Sequence, residues 1–223
     1  LACLGFCVLW LNPQGPASQS APLSVRHTLR SIKSMLANPV LICVLLISFS
    51  VIFVVSLRSS FLPILLQTKG FGPGTIGFLL SGFAVSMTVV RLFIGRLMGQ
   101  VSRVKLMAAT MLLLVLGVSG LPLFASREVL TAELLIFGLG FGMSQPLTMV
   151  MVSDISHSGL AMGLRFSVVN LAAFLSPLLM GGVVHGLGVQ WAFYLGGAWL
   201  VCLSLGLAVY ARNHVKKGGQ ALF

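Results

Sequence analysis

From Pro39 onward the chain repeats one pattern six times: a long apolar stretch, then a short polar or glycine-containing turn. The stretches cover about 39–66, 74–97, 104–124, 129–152, 160–186 and 190–211. About 20 apolar residues cross a bilayer as one helix, so each stretch predicts a membrane-spanning helix. Nearly every position within a span is apolar, and periodicity alone does not separate buried from lipid-facing sides. Before the spans, residues 1–11 read as the end of a further membrane helix, with neither the basic flank nor the cleavage site of a signal peptide. The chain is therefore expected to continue a longer protein. Residues 12–37 form a linker whose first half is rich in Pro, Ser and Gln. Its second half places Val25, Leu29, Ile32 and Leu36 on one helical face and Arg26, Arg30 and Lys33 on another. That is a basic amphipathic helix, suited to an anionic membrane surface or to a solvated linker. The six spans fill a domain over 38–212, and 213–223 is a polar tail.

Charge gives the spans a direction. Eleven of the fourteen Lys and Arg lie in 12–37, 91–105, 154–165 and 212–223. The other side holds only Lys69, Arg127 and the nearby Arg58. Every second connection is basic, so the linker, the 91–105 and 154–165 turns and the C-terminus are expected on the cytoplasmic side of the cell (inner or plasma) membrane.

Composition narrows the class. Of 223 residues, 57% are hydrophobic and 8% charged, against roughly 25% charged in a soluble domain. The net charge of +11 does not mark a nucleic-acid binder, because the cations sit in turns between apolar spans and few aromatics accompany them. Cys3, Cys7, Cys43 and Cys202 form no CxxC pair, so no metal site, cofactor site or disulfide framework is expected.

The spans also repeat. An offset of 86 carries Gly77, Ser81 and Gly95 onto Gly163, Ser167 and Gly181. The same offset maps the first three spans onto the last three. Three is odd, so the triplets enter the membrane from opposite sides, an inverted repeat of the kind secondary transporters use. The expected fold is an all-α membrane protein: a six-helix bundle of two inverted three-helix repeats, with a partial helix before it. The pairs Gly95/Gly99, Gly159/Gly163 and Gly182/Gly186 are expected to let helices approach closely. Pro146, after Gly138, Gly140 and Gly142, and Pro177 interrupt their helices, either as kinks or to turn a carbonyl toward a cavity.

The segment RLFIGRLMGQVSRVKLM, residues 91–107, resembles a loop motif of the major facilitator superfamily, G-x-x-x-D-R/K-x-G-R/K-R/K, in its weaker second copy. Gly95 takes the first glycine and Arg103 the first basic position of the closing pair, with Lys105 one step beyond the last. Gly99 stands where the acid belongs, Gln100 where the next cation belongs, and Ser102 where the second glycine belongs. The usual gate-holding salt bridge is thus not expected in this copy. Span five, GLRFSVVNLAAFLSPLLMGG, is similar to the family's eleventh helix. The resemblance covers the whole chain as the end of the sixth helix, the central linker and helices seven to twelve. It implies alternating access against an N-terminal half of the same transporter, with a small-molecule substrate, a coupling ion such as a proton, and membrane lipids as partners. It also implies that span four lines the cavity.

Candidate site residues follow from polarity inside apolar spans. Gln145 and Asn170 are lone amides that need a partner, either a substrate or another helix; Ser144 accompanies Gln145. Arg58 lies inside span one, where an arginine is costly. It suits an anionic substrate group, or it snorkels to the outer headgroups. Arg91, Gly95, Arg103 and Lys105 form the loop motif. Arg165 and Asp154 are expected to pair as an inner latch. No acid is expected at mid-membrane: Asp154, Glu128 and Glu133 are the only three, and any coupling carboxylate is expected elsewhere in the transporter. The apolar walls favour export of a hydrophobic or weakly polar molecule. Two rival readings remain, a non-transporting scaffold or sensor, and an intramembrane protease using Ser119 of Gly117-Val118-Ser119-Gly120 with His185.

Overall fold

The structure is a computed structural model and describes residues 25–156 and 159–216. The helix end expected over 1–11, the start of the linker and the end of the tail lie outside the described residues. Among those described, all regular structure is helical: α1 (Val25–Leu36), α2 (Pro39–Thr68), α3 (Pro73–Gln100), α4 (Arg103–Ser119), α5 (Arg127–Ile155), α6 (Gly159–Leu187) and α7 (Val189–Lys216). The last six match the six expected spans.

Local chemistry sets the boundaries. The Asn38 side chain accepts from the backbone N–H of Val40, with Pro39 at the first helical position. This is the arrangement a helix start favours. Gly72 precedes Pro73 at the start of α3, which shares the early proline but has no side-chain cap. Gly70 (φ 83°) lets α2 turn into α3, and Gly188 (φ 97°) allows a single-residue turn between α6 and α7. Both lie in the left-handed region that glycine enters at little cost.

The third span ends earlier than expected. Its helix stops at Ser119 rather than near Phe124, because Gly120, Leu121 and Pro122 follow and the residue before a proline is driven out of the helical region. At 17 residues, α4 is about 26 Å long, close to the thickness of the hydrocarbon core. The other five spans are long and apolar enough to cross a membrane.

Packing centres on two helices. α2 packs against α6 and α7, α5 against α3 and α4, and α2 and α5 against each other. α4 and α7 also meet. Each triplet's first helix is therefore wrapped by the second and third helices of the other triplet. The core joins Val44, Val51 and Val54 of α2 to Phe137, Leu147 and Met151 of α5. A second cluster, at the α2–α3 and α4–α5 turns, gathers Leu62, Leu65, Leu121, Leu130 and Phe193. The middle helices contribute little: α6 buries only Ala161, Arg165, Ala172 and Ser176.

Hydrogen bonds fasten the same pairs. Ser86 of α3 donates to the Leu135 carbonyl of α5 at 2.6 Å. Ser176 of α6 donates to the Phe53 carbonyl of α2, also at 2.6 Å. Trp199 of α7 donates its indole N–H to Ser50 Oγ at 2.9 Å. Each hydroxyl or indole satisfies itself on a neighbouring helix, as a group without water must.

The glycines do not pack where the spacing suggested. A methyl group added at Gly95, Gly99, Gly159, Gly163, Gly182 or Gly186 meets nothing within 4 Å. Close approaches lie elsewhere, several of them on α5. A methyl at Gly138 would sit 2.8 Å from the Phe83 carbonyl oxygen, and one at Gly142 would sit 2.7 Å from that of Met87. The reason is position: Gly138 and Gly142 face α3 inside the bundle, whereas the expected pairs sit on the outward sides of α3 and α6. Gly142→Val is therefore expected to cost about 1–3 kcal/mol through overpacking, read as earlier thermal unfolding in detergent. Gly163→Val in the same assay should change little beyond its small helix-propensity effect. Equal losses at both positions would contradict this packing.

Candidate functional site

Arg165 is the most constrained cation. It sits in the second turn of α6 and is fully buried. Its Nη2 donates to Gln145 Oε1 at 2.9 Å and to Thr148 Oγ1 at 2.8 Å, both on α5. The Thr148 hydroxyl in turn donates to the Ser144 carbonyl at 2.9 Å. The network has a definite direction. A guanidinium only donates, so the Gln145 amide must turn its oxygen toward Arg165 and its nitrogen away. Gln145-x-x-Thr148 lies on one helix face, which is why one arginine reaches both. The sequence reading passed over Thr148, though this spacing marked it. Pro146, between them, has no N–H for the Gly142 carbonyl, and this is the stretch of α5 that Arg165 braces.

The expected latch does not form. Arg165 is committed to Gln145 and Thr148, while Asp154 pairs with Arg103 at the start of α4. Six residues, or about 9 Å of helix, separate Thr148 from Asp154, which places the acid beyond the reach of Arg165. The Arg103–Asp154 pair is half-exposed and contributes little in isolation. It does give the loop-motif arginine a partner, on α5 rather than within its own loop. Arg91, Gly95 and Lys105 are exposed at the same end.

Arg58 departs from one of its two expected roles. It does not snorkel outward; it is 2% exposed. Its guanidinium carbon lies 3.5 Å from the Phe83 ring centroid and 5.2 Å from that of Phe137. The aromatic faces offset part of the desolvation. They leave Nε and Nη1 buried with no acceptor among the described residues.

Glu133 stands in the second turn of α5. It is buried on α5 against Gly120, with Oε2 unpartnered among the described residues. Lys69, just past α2, binds the turn above it, donating to the carbonyls of Leu121 at 2.7 Å, Pro122 at 3.2 Å and Phe124. Burial holds the Lys69 ammonium below its ordinary range, and the charge of Glu133 pulls it partly back. This cluster ties α2, α4 and α5 together at the end opposite the basic turns.

The remaining candidates separate. Ser144 is fully buried, its hydroxyl donated to the Phe141 carbonyl. Gln145 is half-buried, and no protein acceptor meets its amide nitrogen among the described residues. Asn170 is exposed, in mid-helix, among exposed apolar neighbours such as Phe166, Leu171 and Phe174. It lies about 140° around α6 from Arg165 at 100° per residue, so the structure does not bring it into the Gln145 network. Ser119 lies against Gly197 of α7, and no hydrogen bond joins it to the exposed His185. No group of three or more His, Cys, Asp or Glu is placed to hold a metal among the described residues.

The network makes an asymmetric prediction. Gln145→Leu leaves a buried guanidinium short of acceptors, at a cost of about 1–3 kcal/mol or more. Arg165→Met removes the buried charge itself and should cost less. Thermal unfolding of the two variants in detergent checks the order. A larger loss in Arg165→Met would contradict it.

Comparison with known proteins agrees with this architecture. No curated protein matches the chain. The model of the Major Facilitator Superfamily matches residues 1–157 and 44–222. With its long apolar helices, its paired packing and a family match that spans nearly its whole length, this chain belongs to the Major Facilitator Superfamily of membrane solute transporters.

Proposed function

We propose that the chain forms one half of a secondary transporter, which carries a small organic solute across the cell membrane by alternating access. The observation that carries this reading is the unequal burial of the spans. α2 and α5 are wrapped by their neighbours, whereas α3 and α6 bury few residues and keep their glycine-bearing faces open. On the open side of α6 stand Ser167 and Asn170, polar groups at mid-helix. A lone amide facing lipid is costly, so a water-filled cavity or a second helical half is the fitting neighbour for that face.

The reciprocal packing of the two triplets supports reading them as inverted repeats. Ser86 reaches from α3 to α5, and Ser176 from α6 to α2. In such folds the substrate lies near the midplane and one bundle rocks against the other. Asn170 on α6 and Gln145 on α5 are the residues assigned here to the cavity wall. The basic turns favour a cytoplasmic position for α1, the α3–α4 and α5–α6 connections and the C-terminus. The apolar surroundings of Asn170 favour an amphiphilic cargo and the export direction.

The full transporter, reconstituted in proteoliposomes, tests this reading with labelled organic solutes under imposed proton or sodium gradients. Saturable, gradient-dependent flux is expected. Asn170→Leu, which removes a donor and an acceptor from an exposed position, should slow it about tenfold, the equivalent of about 1.4 kcal/mol, without lowering thermal stability. Absence of flux under every gradient would overturn the transport reading in favour of a scaffold or sensor.

A further inference from the structure

The Gln145–Arg165 pair fixes more than a helix contact. Arg165 occupies the amide oxygen of Gln145 at 2.9 Å, and a guanidinium cannot accept. The amide orientation therefore follows from the chemistry of its partner. Thr148 offers the amide oxygen no alternative donor, because its hydroxyl hydrogen is spent on the Ser144 carbonyl and its oxygen accepts from Arg165. The nitrogen of the half-buried Gln145 is left with N–H donors that no protein acceptor meets among the described residues. The same bundle holds a second set of unspent donors, Nε and Nη1 of Arg58.

No carboxylate answers them. The chain has three acids. Asp154 is taken by Arg103, Glu133 lies under the turn that Lys69 holds, and Glu128 stands in the first turn of α5. Two buried guanidiniums, Arg58 and Arg165, thus carry positive charge into the interior of the bundle, and no salt bridge meets either among the described residues. In a low-dielectric site such charge acts strongly on a ligand charge.

We propose that Gln145, oriented by Arg165, is a specificity-determining residue of the cargo site, and that its outward N–H donors select the carboxylate of an amphiphilic organic anion. The proposal rests on the transport reading above and adds the charge class of the cargo. Gln145 touches the cargo; Arg165 is a positioning residue that acts through it.

Three probes of similar shape test it: phenylacetate, phenylacetamide and phenethylammonium, titrated by calorimetry into the full transporter in nanodiscs. The wild type is expected to bind phenylacetate at least tenfold more tightly than phenethylammonium, with phenylacetamide between them. Gln145→Glu keeps an acceptor for Arg165, so the fold is retained, but turns the outward face from donor to acceptor. It should abolish or invert the preference for the anion. Arg165→Met frees the amide to rotate and should reduce the preference while leaving some binding. Equal binding of the three probes, a preference for the cation, failure of all three to bind, or an unchanged preference in Gln145→Glu would each overturn the proposal. The transport reading is judged separately, by the flux of labelled solutes.

Discussion

Inside a bilayer there is no water to take up a stray hydrogen bond, so each polar group must find its partner on another helix or on its own. That constraint organises this bundle. Ser86, Ser176 and Trp199 each reach to α2 or α5, and Arg165 reaches to α5. α2 and α5 thereby become a common hub. Gly138 and Gly142 let α3 settle onto that hub at backbone distance. Hydrophobic burial adds little specificity in lipid, where tails are as apolar as leucine; close packing and these few directed bonds select the arrangement.

The same constraint separates polar groups satisfied within the bundle from those with no partner among the described residues. Ser144 and Thr148 are satisfied within the bundle. Arg58 is only partly answered, by rings rather than by acceptors. The Gln145 nitrogen and the Asn170 amide have no protein partner among the described residues. These unspent groups cluster on α2, α5 and α6, the helices whose arrangement the hub bonds fix. A hub fixed by these bonds suits the rocking proposed for the halves of the transporter.

Much of the fold was legible in the sequence because its causes are local. Length and hydropathy placed six spans; Asn38-Pro39, Gly72-Pro73 and Gly188, which the sequence reading did not use, set the boundaries. The miss at Ser119 came from counting Leu121 and Leu123 as span when Pro122 had already ended the helix. Which face of a helix meets another was not legible. Gly95/Gly99 and Gly138/Gly142 have the same spacing, yet only the second pair packs, since periodicity says nothing when both faces are apolar. The site was half legible. Gln145 and Arg165 stood out as polar residues in apolar runs. Their pairing depends on how α5 and α6 are set against each other, and so Asp154 drew the wrong partner.

The account turns on the open side of α6 facing water or cargo rather than lipid. Single cysteines at Ser81, Ser167 and Asn170 in the full transporter, labelled with a membrane-impermeant maleimide, test this most directly against controls at Leu112 and Leu205, which are exposed on α4 and α7. The account predicts labelling at 167 and 170, and at 81 in at least one conformational state, with 112 and 205 silent. Silence at 167 and 170 in all states, matching the two controls, would contradict it.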